Sequence, residues 1–134
     1  MKRLPLFLIS FFLLSCSDSE LVNMKQISNG AQLYKIHCSN CHQDNGSGLA
    51  KLIPPLQHAD YLSKNANLLP CLIKNGYQGV MKVNGVEYNM AMPAAKGLTN
   101  EEIADITSFV LQKFPENPIH LSDSAIFQQL KNCQ

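Results

Sequence analysis

The clearest helical pattern in this chain lies between Thr99 and Pro115. Thr99 and Glu102 form a capping box, in which the side chain of each bonds to a backbone amide of the other, and this arrangement typically begins a helix. Apolar residues then recur three or four positions apart, which indicates one buried face: Ile103, Ile106, Val110 and Phe114. Pro115 has no amide hydrogen, so the helix is predicted to end before it.

An earlier helix is predicted from a stripe of residues four positions apart. Gly30, Tyr34 and Cys38 would share one face of this helix, because side chains at positions i and i+4 are neighbours. Ser28 or Asn29 would cap its N-terminus. Gly30 has no side chain and would let another helix approach closely, with Tyr34 packing across it.

Shorter elements are predicted between these two helices and after them. Residues 60–64 are predicted as a helical turn, and residues 68–74 as a short helix that ends at Asn75-Gly76. Two strand-like runs flank Asn84-Gly85, a dipeptide that favours a type I′ turn and so predicts a β-hairpin. Apolar residues in the tail predict one further short helix: Ile126, Phe127 and Leu130.

The first fifteen residues differ from the rest of the chain. Two basic residues precede a mainly apolar run of 11 residues at 4–14, whereas a membrane span needs about 20 apolar residues. The run therefore has the length of a signal-peptide core. It ends at residues 13–16 with LLSC, which resembles the signal of a bacterial lipoprotein and implies that Cys16 becomes the lipidated N-terminus. An ordinary signal peptide with a nearby cleavage site is the alternative.

This leader divides the chain into three parts. Residues 1–15 are predicted as the signal peptide, residues 16–27 as a tether, and residues 28–134 as one domain with a tail at 115–134. With lipid on Cys16, the domain would be exported and anchored at the periplasmic face of a bacterial membrane. The pattern leaves open whether that is the inner or the outer membrane.

Composition and charge exclude several classes of protein. The chain has 134 residues and a formal net charge of +1, which becomes −1 once the leader with its two basic residues is removed. Such a near-neutral domain lacks the basic surface that nucleic-acid binding requires. The apolar fraction of 46% includes the leader, and the rest has the composition of a single globular domain. Five cysteines are an odd number, so at least one of them is not in an internal disulfide.

The strongest chemical signal is the sequence CSNCH at residues 38–42. Cys38 and Cys41 lie on one helical turn and can add to the two vinyl groups of a haem, and His42 can then reach the iron. A thioredoxin-like site would need a strand–helix–strand context, which the surrounding pattern lacks. A structural zinc site would need a second ligand pair, and Cys71 and Cys133 do not have the spacing of such a pair. The motif therefore predicts one covalent haem c.

With this motif in place, residues 29–114 resemble a class I cytochrome c, a small electron carrier with one haem. The resemblance implies an all-α cytochrome c fold of about four helices around the haem, with a small β-hairpin before the loop that carries an axial methionine. In that family a proline after the haem motif offers its carbonyl to the axial histidine, which implies this role for Pro54 toward His42. Leu56 would then pack on the haem. A merely rigid loop at Pro54-Pro55 is the alternative.

The resemblance also implies the second axial ligand of the iron. In class I cytochromes c this ligand is a methionine on the loop before the last helix, often followed by proline, and Met92-Pro93 has that position. Met90 is an alternative that could exchange with it. His58 and His120 are nitrogen candidates, for which a surface or core role is the plainer interpretation.

Two cysteines remain once Cys16 is assigned to lipid and the CSNCH pair to haem. An oxidising compartment favours a disulfide between Cys71 and Cys133, which would join the tail to the middle helix. Two independent thiols are the alternative.

Together these predictions describe a one-electron carrier rather than an enzyme. Iron with His42 and Met92 as ligands has no open position for a substrate and keeps the same ligands in both oxidation states. The partners would be membrane or periplasmic redox proteins that dock transiently on a monomer, without nucleic acid. Two alternatives stay open. One is a small-ligand-binding haem sensor or peroxidase-like enzyme, if Met92 does not ligate; the other is an electron-transfer subunit of a larger complex.

Overall fold

The computed structural model describes residues 18–133, which form a mainly helical fold with one two-stranded antiparallel sheet. The helices in this part of the chain are α1 (Asp18–His37), α2 (Ser39–His42), α3 (Asp60–Asn65), α4 (Leu69–Asn75), α5 (Asn100–Lys113) and α6 (Asp123–Asn132). The strands are β1 (Met81–Val83) and β2 (Val86–Tyr88), and a 3₁₀ turn (Ala66–Leu68) joins α3 to α4. The predicted helical fold with a small hairpin is confirmed. Within the described residues, no helix is both long and apolar enough to cross a membrane.

Helix α1 begins ten residues before its predicted caps. The prediction of Ser28 or Asn29 as the N-cap is wrong, because both residues lie inside the helix. Residues 18–27 of the predicted tether are helical as well, and many of them have good helix propensity. The predicted signal peptide at 1–15 and the lipidation site at Cys16 lie outside the described residues.

The crossing of α1 and α5 forms the centre of the fold. Gly30 lies at this crossing, where a Cβ atom on it would be 2.1 Å from the carbonyl oxygen of Asp105. Tyr34, one turn later, packs against Phe109 and Phe114, with ring centroids 5.4 and 5.2 Å away. The absence of a side chain at Gly30 therefore permits the close contact of the two helices, as the stripe of residues predicted.

Helix α5 follows its prediction closely. The Glu102 N–H donates to Thr99 Oγ1 (3.2 Å), and the Thr99 N–H donates to the Glu102 carboxylate (2.8 Å), so the capping box is confirmed. The helix ends at Lys113, and Phe114 is its C-cap before Pro115. Its apolar face is buried as predicted: Ile103, Ile106 and Val110 are each at most 3% exposed.

Hydrogen bonds hold the hairpin turn against the start of α3. Asn84 and Gly85 both have positive φ, of 50° and 80°, as a type I′ turn requires, so the predicted hairpin is confirmed. The Asp60 N–H donates to Asn84 Oδ1 (2.9 Å), and the Asn84 N–H donates to Asp60 Oδ1 (2.7 Å). These reciprocal bonds fix the hairpin turn against α3.

Helix α4 packs beside the tail helix α6. The two helices have close to their predicted positions, at residues 68–74 and around Ile126 to Leu130. Cys71 of α4 and Cys133, directly after α6, form a disulfide with Cα atoms 5.4 Å apart.

Candidate functional site

A large, mostly apolar cavity opens between the helices and the hairpin. Its empty space, counted out through the open mouth, is about 1030 Å³. Every main element except α6 contributes to its wall. Side chains that line it include Tyr34, Leu62, Ile73, Val83, Tyr88, Ile106 and Val110.

The CSNCH residues form one wall of this cavity. α1 ends at His37, and the chain turns at Cys38 into the single-turn helix α2. The amides of Cys41 and His42 both donate to the Cys38 carbonyl, at 3.1 and 2.9 Å, so the motif is compact. Cys38, Cys41 and His42 all line the cavity. The Tyr34 hydroxyl donates to the carbonyl of Gln43 (2.7 Å) and thereby holds the end of α2 against α1.

The imidazole of His42 is oriented by the loop that follows the motif. Its Nδ1 lies 3.2 Å from the carbonyl oxygen of Pro54, the contact that the resemblance implied. Burial lowers the pKa of His42, and the bond to Pro54 partly opposes this effect. With Nδ1–H donating to a carbonyl, Nε2 is left without a proton and can act as a ligand.

Gly48 allows the loop after α2 to turn back toward His42. Gly48 has a φ of 69°, and a Cβ on it would lie 2.3 Å from the carbonyl oxygen of Ile53. The Gly48 N–H also donates to the His42 carbonyl (3.0 Å). The loop therefore closes on the haem motif and brings Pro54 beside the imidazole. Pro55 and Leu56 line the cavity as well.

A second wall contains three methionines. Met81, Met90 and Met92 all line the cavity, and Met90 is half exposed. The backbone of Met92 pairs with Tyr77: the Tyr77 N–H donates to the Met92 carbonyl (2.9 Å), and the Met92 N–H donates to the Tyr77 carbonyl (2.8 Å). The position of Met92 is therefore set by backbone bonds to the segment after α4.

Sequence reasoning missed Met81 as a lining residue and assigned it only to the hairpin. The alternation of Met81 and Val83 along β1 indicates that they share a face, but it does not indicate which cavity that face lines. The two histidine candidates do not line the cavity. His58 is exposed with a φ of 52°, its N–H donating to the Phe114 carbonyl (2.8 Å), and His120 is exposed.

No Lys, Arg, Asp or Glu is among the described residues that line the cavity, whereas four tyrosines are: Tyr34, Tyr61, Tyr77 and Tyr88. Tyr61 and Tyr88 line the cavity, and neither hydroxyl has a hydrogen-bond partner among the described residues. Tyr88 is only 7% exposed. Burial, and then the neighbouring Tyr77, raise the pKa of Tyr61. Burial, and then Cys41, raise the pKa of Cys38 to about 11.

These features fit a haem better than a bare metal ion. Within residues 18–133, no three His, Cys, Asp or Glu side chains are grouped so that they could hold a metal ion. A haem instead needs a flat apolar space, paired thiols, an oriented imidazole and hydrogen-bond donors for its two carboxylates. The cavity offers an apolar space, the two thiols and the oriented imidazole, and the hydroxyls of Tyr61 and Tyr88 are donors of the last kind.

Comparison with known proteins agrees with this interpretation. A family profile described as Cytochrome c matches residues 27–113, more than half of the chain, so the chain belongs to the cytochrome c family. Within it, the similarities support the class I monohaem group. Membership identifies the cofactor as haem c, bound covalently with its iron.

Three relatives illustrate the range of the family. The chain is 34% identical to cytochrome c-552 of Thermus thermophilus over 87 residues, which cover 62% of this chain and 66% of the relative. It is 33% identical over 101 residues to the cytochrome c subunit of a quinone alcohol dehydrogenase from Gluconacetobacter polyoxogenes. The match covers 69% of this chain and 21% of the relative. It is 26% identical over 115 residues to a cytochrome c6-like protein of Nostoc sp., and this match covers 84% of this chain and 93% of the relative. The chain thus spans just under two thirds of cytochrome c-552 and about a fifth of the dehydrogenase subunit.

Proposed function

We propose that the protein is a one-electron carrier whose haem iron is bound by His42 on one side of the ring and by Met92 on the other. The observation that carries this proposal is the orientation of the His42 imidazole by Pro54 in the wall of a cavity whose other wall holds Met92. Two protein ligands leave no open position for a substrate, and they need not change when the iron is oxidised or reduced.

The other lining residues have roles that follow from their chemistry. The thiols of Cys38 and Cys41 would add to the two vinyl groups of the haem and make its attachment permanent. Leu56 would pack on the face of the ring. Tyr61 and Tyr88 would donate hydrogen bonds to the haem carboxylates, since no cationic side chain among the described residues lines the cavity.

The location and partners belong to the same proposal. Cys16 would carry the lipid anchor, and the signal peptide at 1–15 would direct the domain to the periplasmic face of a membrane. The domain would act as a monomer that meets membrane or periplasmic redox proteins transiently, through a small docking surface.

A second candidate function is that of an electron-transfer subunit within a larger complex. The observation that favours it is the similarity to the cytochrome c subunit of quinone alcohol dehydrogenases, which the chain matches over most of its own length. The haem chemistry would be the same, and only the permanence of the partner would differ. Purification from membranes in mild detergent separates the two, because a subunit would stay with its complex.

The axial ligands are tested on the haem-loaded protein by optical and magnetic spectroscopy. We expect low-spin ferric haem with the weak far-red band of sulfur ligation. Met92→Ala should abolish this band and lower the reduction potential, because a methionine ligand raises the potential relative to other neutral ligands. Met90→Ala and Met81→Ala are matched controls from the same cavity wall, and both should keep the band.

Two results would overturn parts of the proposal. If Met92→Ala kept the band and Met90→Ala lost it, the ligand would be Met90. If the unmodified protein were high-spin and bound cyanide without delay, the iron would be five-coordinate, and a sensor or peroxidase-like activity would replace the carrier.

A further inference from the structure

The tail helix α6 is an addition to the part of the chain that matches the family. The matched segment ends at residue 113, whereas α6 extends over Asp123–Asn132. Its apolar residues are nevertheless as well buried as those of the core, with Ile126 at 0% and Leu130 at 1% exposed. The tail is therefore an integral part of this structure, packed beside α4.

Helix α6 is bound to α4 by a disulfide and by side-chain hydrogen bonds. The Cys71–Cys133 disulfide joins their ends covalently. The Lys74 side chain donates to the Leu130 carbonyl (2.9 Å), and the Gln129 side-chain amide donates to the sulfur of Cys71 (3.5 Å). A movement of α4 away from α6 would have to break all of these contacts.

Helix α4 in turn holds the segment that contains Met92. The Ala95 N–H donates to the Ile73 carbonyl in α4 (2.9 Å). Directly after the helix, Tyr77 makes its two backbone bonds to Met92. At Gly76 a Cβ would lie only 2.4 Å from the Met92 carbonyl oxygen, so the two segments are in close backbone contact. The methionine segment therefore follows the position of α4.

We propose that α6 and the Cys71–Cys133 bond form a positioning brace, which holds α4 in place and thereby keeps the Met92 segment closed over the iron. The brace rests on the proposed ligation by Met92 and adds a role for a tail that the family match does not include. Segments of a protein open locally with their own free energies, often far below that of global unfolding. A covalent bond between α4 and the tail raises the free energy of opening for the unit that carries Met92.

The opening of this segment can be measured with cyanide, which binds ferric haem only after the methionine has left. The apparent affinity for cyanide is the intrinsic affinity multiplied by the fraction of molecules that are open. The double variant Cys71→Ser/Cys133→Ser keeps the size of both side chains and removes the bond. We expect it to bind cyanide at least about tenfold more tightly than the unmodified holoprotein, with faster binding, because the open fraction rises.

Two further variants separate the brace from a general loss of stability. Lys74→Met removes one α4–α6 hydrogen bond and retains the disulfide, and it should give an intermediate increase in cyanide affinity even if the double variant loads haem poorly. Thr99→Ala removes the cap of α5 and lowers global stability. It leaves the α4–α6 contacts in place, so its cyanide affinity should remain that of the unmodified protein.

The outcomes distinguish the brace from the proposed function. If Met92→Ala abolishes the far-red band but the cysteine and Lys74 variants bind cyanide like the unmodified protein, the brace is wrong and His/Met ligation stands. If Met92→Ala leaves the band and cyanide affinity unchanged, the ligation itself is wrong and the brace falls with it. If Thr99→Ala raised the cyanide affinity as much as the cysteine variant does, the affinity would report only global stability, which also overturns the brace.

Discussion

Replacing Gly30 by alanine tests how closely α1 and α5 approach each other. A Cβ at this position would lie 2.1 Å from the carbonyl oxygen of Asp105 and 2.8 Å from the Cβ of Phe109, whereas ordinary contacts begin at 3.4 Å. These atoms belong to the α5 backbone or are attached directly to it, so no side-chain rotation relieves the overlap. The two helices would have to separate by roughly 1 Å, with repacking of the core around Tyr34.

Two opposing terms determine the size of the effect. Alanine in a helix interior is more favourable than glycine by about 1 kcal/mol. Overpacking a core costs about 1–3 kcal/mol, and the upper end applies here because backbone atoms are involved. We therefore expect Gly30→Ala to lower the free energy of unfolding by about 2 kcal/mol, which corresponds to a fall in Tm of roughly 8 °C for a domain of this size.

Denaturant unfolding of the haem-loaded protein, followed by circular dichroism and haem absorbance, measures this loss. The midpoint should fall with an unchanged m value, because the surface exposed on unfolding stays nearly the same. Ser28→Ala is a matched control on the exposed side of the same helix, and it should be neutral or slightly stabilising. If Gly30→Ala were as stable as the unmodified protein, the helices could not be in the close contact that the structure gives them.

Three smaller perturbations test other contacts. Gly85→Ala puts a side chain at a φ of 80° with no atom within 4 Å of it, so thermal unfolding should show only the backbone cost of about 1 kcal/mol. Tyr34→Phe removes the hydrogen bond to the Gln43 carbonyl and should cost about 1 kcal/mol in denaturant unfolding; an unchanged midpoint would contradict this. The bonds from Asn84 N–H and then Lys64 hold the pKa of Asp60 below its ordinary 3.8, so their stabilisation is present above pH 3.8 and is lost as the pH falls through the lowered value. Asp60→Asn should therefore be less stable than the unmodified protein near neutral pH and equally stable in acid. A difference in stability that stayed constant as the pH was lowered would contradict this.

The parts of the fold that depend on neighbouring residues could be predicted from the sequence. The capping box of Thr99 and Glu102 and the turn at Asn84-Gly85 are local arrangements, and both occur where the pattern indicated them. The N-terminus of α1 was predicted wrongly because it also depends on a residue far along the chain. Ser28 is a good cap residue, but a contact from far along the chain supports the earlier turns of the helix: the Gln26 side chain donates to Asp123 (2.9 Å).

The site was only partly predictable, because its second wall is assembled by long-range contacts. The spacing of Cys38, Cys41 and His42 defines one wall by itself. Nothing local to Met81 indicates that it lines the same cavity as Met92, and nothing local to Tyr88 indicates an unpartnered hydroxyl there. These positions follow from how the hairpin docks against α3 and from the backbone pairing of the Met92 segment with the chain after α4, which no periodicity encodes.

With lipid on Cys16, as proposed, α1 limits how far the haem can lie from the membrane. The helix has 20 residues, so it spans about 30 Å, and the two residue steps from Cys16 to Asp18 add at most about 7 Å. A flexible tether over 16–27 would instead let the haem motif reach roughly 55 Å from the anchor. Because electron transfer requires short distances between redox centres, this helical connection would then favour partners whose own centre lies within this shorter reach of the membrane surface. The same helix carries Tyr34 and leads directly into Cys38, so it would restrict the orientation of the haem as well as its distance.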